Sequence, residues 1–169
     1  MMLRMTYLAG MVSLCLSGAV QSQGVYGGLG VGAMDADING LDASWNGSVM
    51  LGYAFGDGPG KFAVEAQYTG PVSDGDVNGG GGGDWNIQTI AGYVAYRYGE
   101  TVYVKARLGY LHESASIHIG PANLNENDDS VSGGVGVGWN INENIAIEGE
   151  FTVIESDINF YSAALIYNF

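Results

Sequence analysis

A chain of 169 residues with five Lys and Arg against 18 Asp and Glu carries a net charge of −13 and has room for one domain. That balance excludes nucleic-acid binding, which needs basic groups to meet phosphates. A single cysteine, Cys15, excludes an internal disulfide, and with 29 glycines and no long apolar run after the first residues no membrane-crossing helix is expected.

Taken in chain order, the first element is a leader. Arg4, an apolar stretch over 5–16 and the small residues Ser17, Gly18, Ala19 and Ser22 have the layout of a cleaved secretory signal, placed at 1–22, which leaves 23–169 as the mature domain. A dozen apolar residues at about 1.5 Å each fall short of a hydrocarbon core about 30 Å thick, so an anchor is the weaker reading. Leu14 ahead of Cys15 does not suit lipoprotein processing, and Cys15 leaves with the leader.

Eight stretches of two-residue alternation follow: 25–34, 44–55, 61–69, 85–98, 101–112, 131–141, 145–155 and 159–169. Each is long enough to cross a bilayer as a tilted strand, which takes about 9 to 11 residues. The connections at 56–60, 99–100 and 142–144 are short, whereas those at 35–43, 70–84, 113–130 and 156–158 are longer or more polar. Outer-membrane barrels place short turns in the periplasm and long loops outside. The expected fold is therefore all-β: an eight-stranded antiparallel up-and-down transmembrane β-barrel preceded by a cleaved signal peptide, with both termini on the periplasmic side.

The two faces separate by chemistry. Val49, Leu51, Tyr53 and Phe55; Phe62, Val64 and Tyr68; Val104, Leu108 and Tyr110; Val135, Val137 and Trp139; and Ile147, Phe151 and Val153 fall on one side. Glu65 and Gln67, Lys105 and Arg107, Gly134 and Gly136, and Glu148 and Glu150 fall on the other. A basic group on the lipid face at mid-bilayer costs about 2 to 4 kcal/mol, so the second set lines the lumen. In 85–98, Asn86 and Gln88 favour the lumen. That phase turns Arg97 outward to snorkel at the periplasmic interface, a bulge being the alternative. Leu51-Gly52-Tyr53, Ala91-Gly92-Tyr93 and Val137-Gly138-Trp139 each precede a periplasmic turn, where a girdle aromatic facing lipid and an inward glycine are expected; Leu108-Gly109-Tyr110 repeats the pattern at the other rim.

With the leader, the eight segments, the Gly-aromatic strand ends, the strand Tyr103-Val104-Lys105-Ala106-Arg107-Leu108-Gly109-Tyr110 and the closing Leu165-Ile166-Tyr167-Asn168-Phe169, the mature chain resembles the small eight-stranded outer-membrane barrels, the OmpA transmembrane, OmpX and Opa-like group. The resemblance implies residence in the outer membrane of a Gram-negative bacterium, contact with its lipid and lipopolysaccharide, and a role in envelope integrity or adhesion, with a host or surface ligand at the loops. It also implies that the barrel assembly machinery reads Tyr161, Leu165, Tyr167 and Phe169 of the last strand.

Four candidate chemistries remain. Glu65, Glu148 and Glu150 against Lys105 and Arg107 form an expected lumenal ion-pair network that plugs the barrel, a narrow channel being the competing reading. Asp35, Asp37 and Asn39, and again Asp74, Asp76 and Asn78, each begin a D-x-D-x-N-G calcium pattern. Its twelfth position is Asn46 in one and Trp85 in the other, so both loops are incomplete; without calcium, no cofactor is expected. Twelve acids fall in or beside the expected outer loops: Asp35, Asp37, Asp42, Asp74, Asp76, Asp84, Glu113, Glu126, Asp128, Asp129, Glu155 and Asp157, with no lysine or arginine among them. Such a rim favours cations or basic partner surfaces. His112 and Ser114, two apart on one strand, share a face as in outer-membrane lipid A deacylases, but the longer motif of those enzymes is missing and no enzyme is expected. A soluble lipocalin-like barrel would invert the faces and expose Lys105 and Arg107.

Overall fold

The computed structural model describes residues 24–36, 43–73, 75–76, 83–119, 122–155 and 158–169. The leader at 1–22 lies outside them. Alternating residues with β-branched and aromatic side chains on one face leave little but strand available to this sequence. Eight strands result: β1 Val25–Ala36, β2 Ser44–Phe55, β3 Gly60–Ser73, β4 Gly83–Gly99, β5 Val102–Ile119, β6 Ala122–Asn140, β7 Ile145–Glu155 and β8 Ile158–Asn168. Every strand pairs antiparallel with its neighbours in sequence, and β1 pairs with β8 from Tyr26↔Asn168 to Ala36↔Ile158, which closes the cylinder. Gly75–Asp76 extends β3 as a short bridge to Trp85 and Asp84 of β4.

The apolar faces point out. Leu108 is 64 % exposed and Val137 56 %, while Glu148 is 4 % exposed. This is the orientation of a barrel in lipid and the reverse of a soluble one. Aromatics gather toward the two ends of the wall: Phe55, Phe62 and Tyr96 pack together beside the short turns, and Phe151 and Tyr161 lie 5.1 Å apart near the other rim.

The short turns are tightly made. Gly99 holds φ at +133°, and a Cβ there would lie 2.3 Å from the Val102 carbonyl oxygen. In the third turn the Asn142 side-chain oxygen accepts the Asn144 and Ile145 N–H groups at 2.9 and 2.8 Å, and the Asn144 amide donates to the Asn168 carbonyl at 3.0 Å. The Phe169 N–H donates to the Val25 carbonyl at 3.0 Å, so the end of the chain is stitched to its first strand at this rim.

Three expectations are corrected. First, β4 has the opposite phase: Gln88 lies outside, where it accepts a hydrogen bond from Tyr68 at 3.3 Å, and Arg97 points into the lumen. Polar side chains near the outer rim can face outward at little cost, so Gln88 carried no phase information, whereas Arg97 did. With that phase Tyr93 turns inward, 5 % exposed, so Ala91-Gly92-Tyr93 is not equivalent to the other Gly-aromatic pairs. Secondly, 113–130 is not an irregular loop: β5 and β6 continue as a paired ribbon to Ile119↔Ala122. Thirdly, Glu113 is no rim acid, being lumenal and 6 % exposed.

Candidate functional site

Along the lumen, side chains sort into layers. Nearest the short turns, Tyr26, Ala63, Ala95, Tyr103, Ala146 and Ile166 surround the bottom of the barrel. An ionic layer comes next. Arg97 Nε lies 2.9 Å from Glu148 and its NH2 2.8 Å from Glu65. Lys105 Nζ sits among three carboxylates, 3.1 Å from Glu65, 3.1 Å from Glu148 and 3.0 Å from Glu150. Arg107 pairs with Glu150 and donates to Gln67 at 2.6 Å and Thr152 at 3.0 Å. The structure thus brings together Glu65, Lys105, Arg107, Glu148 and Glu150, and adds Arg97, which the observed phase of β4 turns inward. With it the cluster holds three cations and three carboxylates and is neutral. Neutrality matters because an unpaired buried charge costs several kcal/mol.

Tyrosines complete the network, and glycines make room for them. Tyr26 and Tyr103 donate to Glu65 and Glu148, each at 2.7 Å. Arg97 also donates to the Tyr26 hydroxyl at 2.7 Å and lies over its ring, and Arg107 stands 4.0 Å over the Tyr93 ring. Each of these tyrosines faces a glycine across the ladder: Tyr26↔Gly52, Tyr103↔Gly138 and Tyr93↔Gly109. A Cβ on Gly52 or Gly138 would lie 2.2 or 2.1 Å from the opposing ring carbon. The Gly-aromatic repeats of the sequence therefore have a lumenal meaning beside the girdle one: the glycine seats a ring from the next strand.

Above the ions the lumen turns apolar, with Met34, Ile87, Ala91, Tyr93, Leu111, Ile154 and Phe160 packed together. Below them a vestibule of about 630 Å³ opens at the short-turn end, lined by Lys61, Arg97, Tyr103 and Asn140 among others. A polar space of about 20 Å³ beside Ser48, Gln67 and Arg107 has room for about one water molecule.

Of the candidate calcium residues, Asp35 is described, exposed near the end of β1, and Asp76 belongs to the bridge with Asp84. Asp37, Asn39, Asp74 and Asn78 lie outside the described residues. Among the described residues no group of three or more His, Cys, Asp and Glu could hold a metal ion. At the outer rim His112 faces out, with Nδ1 2.8 Å from the Asp129 carboxylate, and Ser114 stands two residues along the same strand. Of the terminal assembly residues, Tyr161, Leu165 and Tyr167 face outward, and the Tyr167 and Phe169 rings meet edge to face at 5.2 Å.

An apolar exterior, a closed ladder and a filled ionic lumen define an integral outer-membrane β-barrel of a Gram-negative bacterium. The chain belongs to the outer membrane protein beta-barrel domain family, whose model matches residues 6–169. Among curated proteins the sequence has no significant match. Its fold is similar to that of Neisserial surface protein A (NspA), with 13 % identity and a TM-score of 0.59 over 86 % of this chain and 97 % of that one. It is similar also to Ail, the attachment invasion locus protein of Yersinia pestis, with 16 % identity and a TM-score of 0.55 over 86 % and 97 %. The outer membrane enzyme PagL shares the fold at 15 % identity and a TM-score of 0.51 over 85 % and 99 %. At these identities the likeness is one of fold.

Proposed function

We propose that the protein is a non-catalytic surface protein of the outer membrane, a closed barrel that carries acidic loops for adhesion to basic surfaces or for binding cations that bridge to lipopolysaccharide. One observation carries the reading. Outside the leader the chain has four lysines and arginines, and three of them, Arg97, Lys105 and Arg107, are consumed in the neutral lumenal cluster. The fourth, Lys61, lies at the short-turn end, so no lysine or arginine accompanies the acids of the outer rim. Function in this architecture resides in loops held by a rigid wall. The test displays the protein on cells and compares retention on amine-coated and carboxylate-coated surfaces. Preferential retention on amines, reduced when Asp35, Asp128 and Asp129 are changed to Asn, supports the reading; equal retention by the variant refutes it. Calorimetry at millimolar calcium tests the cation arm, where calcium-dependent heat that vanishes in D35N/D37N is expected and no heat ends it.

A second reading is favoured by the His112–Asp129 contact, since a histidine oriented by a carboxylate beside a serine is the arrangement that activates a hydroxyl for ester cleavage. It predicts hydrolysis of acyl esters in the outer leaflet that S114A abolishes and D129N slows. Unchanged lipid composition in cells with and without the protein removes it.

A further inference from the structure

We propose that the vestibule at the short-turn end is a binding site for a short zwitterionic peptide, with Lys61 holding the carboxylate and Glu100 and Glu143 the ammonium. The site lies at the opposite end of the barrel from the acidic loops and is independent of the surface-binding reading above.

The vestibule is a blind pocket. Its volume of about 630 Å³ falls within the range of small-ligand sites, roughly 300 to 1,000 Å³. Tyr26, Tyr103 and Arg97 line its inner end, and the ionic layer and then the apolar layer close the lumen behind them. Its mouth opens among the short turns, which outer-membrane barrels direct to the periplasm. The inner end has no charge to offer a ligand. Arg97 is paired with Glu65 and Glu148, and the hydroxyls of Tyr26 and Tyr103 donate to the same two carboxylates. Selectivity therefore falls to the rim.

The rim holds three charged groups that the fold leaves unpaired. Lys61, Glu100 and Glu143 all line the vestibule and are exposed. Among the described residues none of their side chains makes an ion pair or a hydrogen bond. Lys61 is placed at a cost. Its partner across the β3–β4 ladder is Arg97, and Arg97 in turn stands opposite Lys105, so three cations follow one another around the inner wall. Like charges directly opposite one another are unfavourable. Carboxylates of the cluster compensate Arg97 and Lys105 but not Lys61. A base at this position adds nothing to the barrel's own pairing, and it suits the carboxylate of a ligand.

The two signs are also separated in space. Lys61 lies near the start of β3, whereas Glu143 lies in the turn between β6 and β7, about half-way round a closed cylinder of eight strands. Glu100, in the turn between β4 and β5, stands between them. A ligand that spans the mouth therefore meets a positive group on one wall and negative groups on the other. A simple anion or cation satisfies one wall only. A short peptide with both ends free satisfies both.

The test titrates tetra-alanine, its N-acetylated form and its C-amidated form into the isotope-labelled protein in lipid nanodiscs, followed by amide chemical shifts. The free peptide is expected to shift amides of the short turns, Gly99 and Asn140 among them. Blocking either end is expected to weaken binding about threefold or more, the scale of one exposed ion pair. Lys61→Gln should weaken the free peptide by a similar factor and leave the amidated form unchanged, since that form has no carboxylate to lose. E100Q/E143Q should weaken the free peptide and leave the acetylated form unchanged. Heat-modifiable gel mobility checks that both variants fold. Equal binding of all three peptides, or blocking effects undiminished in the variants, overturns the proposal. Sensitivity to one end alone overturns it in favour of a simple anion or cation site, and shifts confined to the outer rim overturn it in favour of the loops. Absence of any shift at millimolar peptide overturns it outright.

Discussion

Replacing Arg97 by Leu tests the lumenal cluster most sharply, because the two placements of this side chain predict opposite signs. In the structure Arg97 contacts Glu148, Glu65 and the Tyr26 hydroxyl at 2.9, 2.8 and 2.7 Å, with its side chain 13 % exposed. Leucine deletes all three contacts and leaves Lys105 and Arg107 facing three carboxylates, one of them uncompensated. Breaking a buried pair in this way costs about 3 to 5 kcal/mol. Were Arg97 on the lipid face, Leu would be neutral or stabilising, since an outward base near an interface costs about 0 to 1 kcal/mol and apolar side chains suit lipid. The assay is urea unfolding of the refolded barrel in lipid vesicles, followed by tryptophan fluorescence. A second variant, R97L/E148Q, restores neutrality with Lys105 and Arg107 against Glu65 and Glu150, and is expected to recover most of the loss. A single variant as stable as the parent would refute the lumenal cluster as a structural element. A double variant no better than the single one would refute charge balance as its physical basis.

Arg107→Ala removes contacts to Glu150, Gln67, Thr152 and the Tyr93 ring, and the same unfolding assay should show a loss of about 3 to 5 kcal/mol; an unchanged transition counts against plugging. Gly138→Ala forces a Cβ to 2.1 Å from the Tyr103 ring, and a loss of about 1 to 3 kcal/mol is expected, largely relieved when Tyr103 is also made Ala; no loss would mean the ring is not seated there. In planar bilayers the apolar layer around Leu111 and Phe160 should block ion flow, so discrete conductance steps that scale with salt would contradict the filled lumen. Removing Phe169 should lower the amount of heat-modifiable, folded barrel assembled in cells while leaving refolding into detergent intact; equal assembly would detach the terminal residues from the assembly machinery.

The membrane orientation, the strand number and the inward carboxylates and bases were legible in the residues, because a strand in lipid shows its environment twice per pleat: apolar residues at 104, 106 and 108 and charged ones at 105 and 107 admit one arrangement. Five members of the ionic cluster could be named for that reason. Arg97 could not, since β4 offered polar residues on both phases, and the choice between them depended on Glu65 on the neighbouring β3 and on Glu148 three strands away on β7. The seating of each tyrosine over a glycine likewise requires the register between strands, which alternation within one strand does not contain. The β5–β6 ribbon was hidden because the alternation of Ala115, Ile117 and Ile119 is short and is followed by Gly120-Pro121 and a run of Asn, Glu and Asp, so that its pairing is carried by backbone bonds that any sequence can make. Local chemistry thus decided which face meets lipid. Closure of the cylinder decided which charges meet each other, because partners far apart in the chain become neighbours only when the first and last strands join.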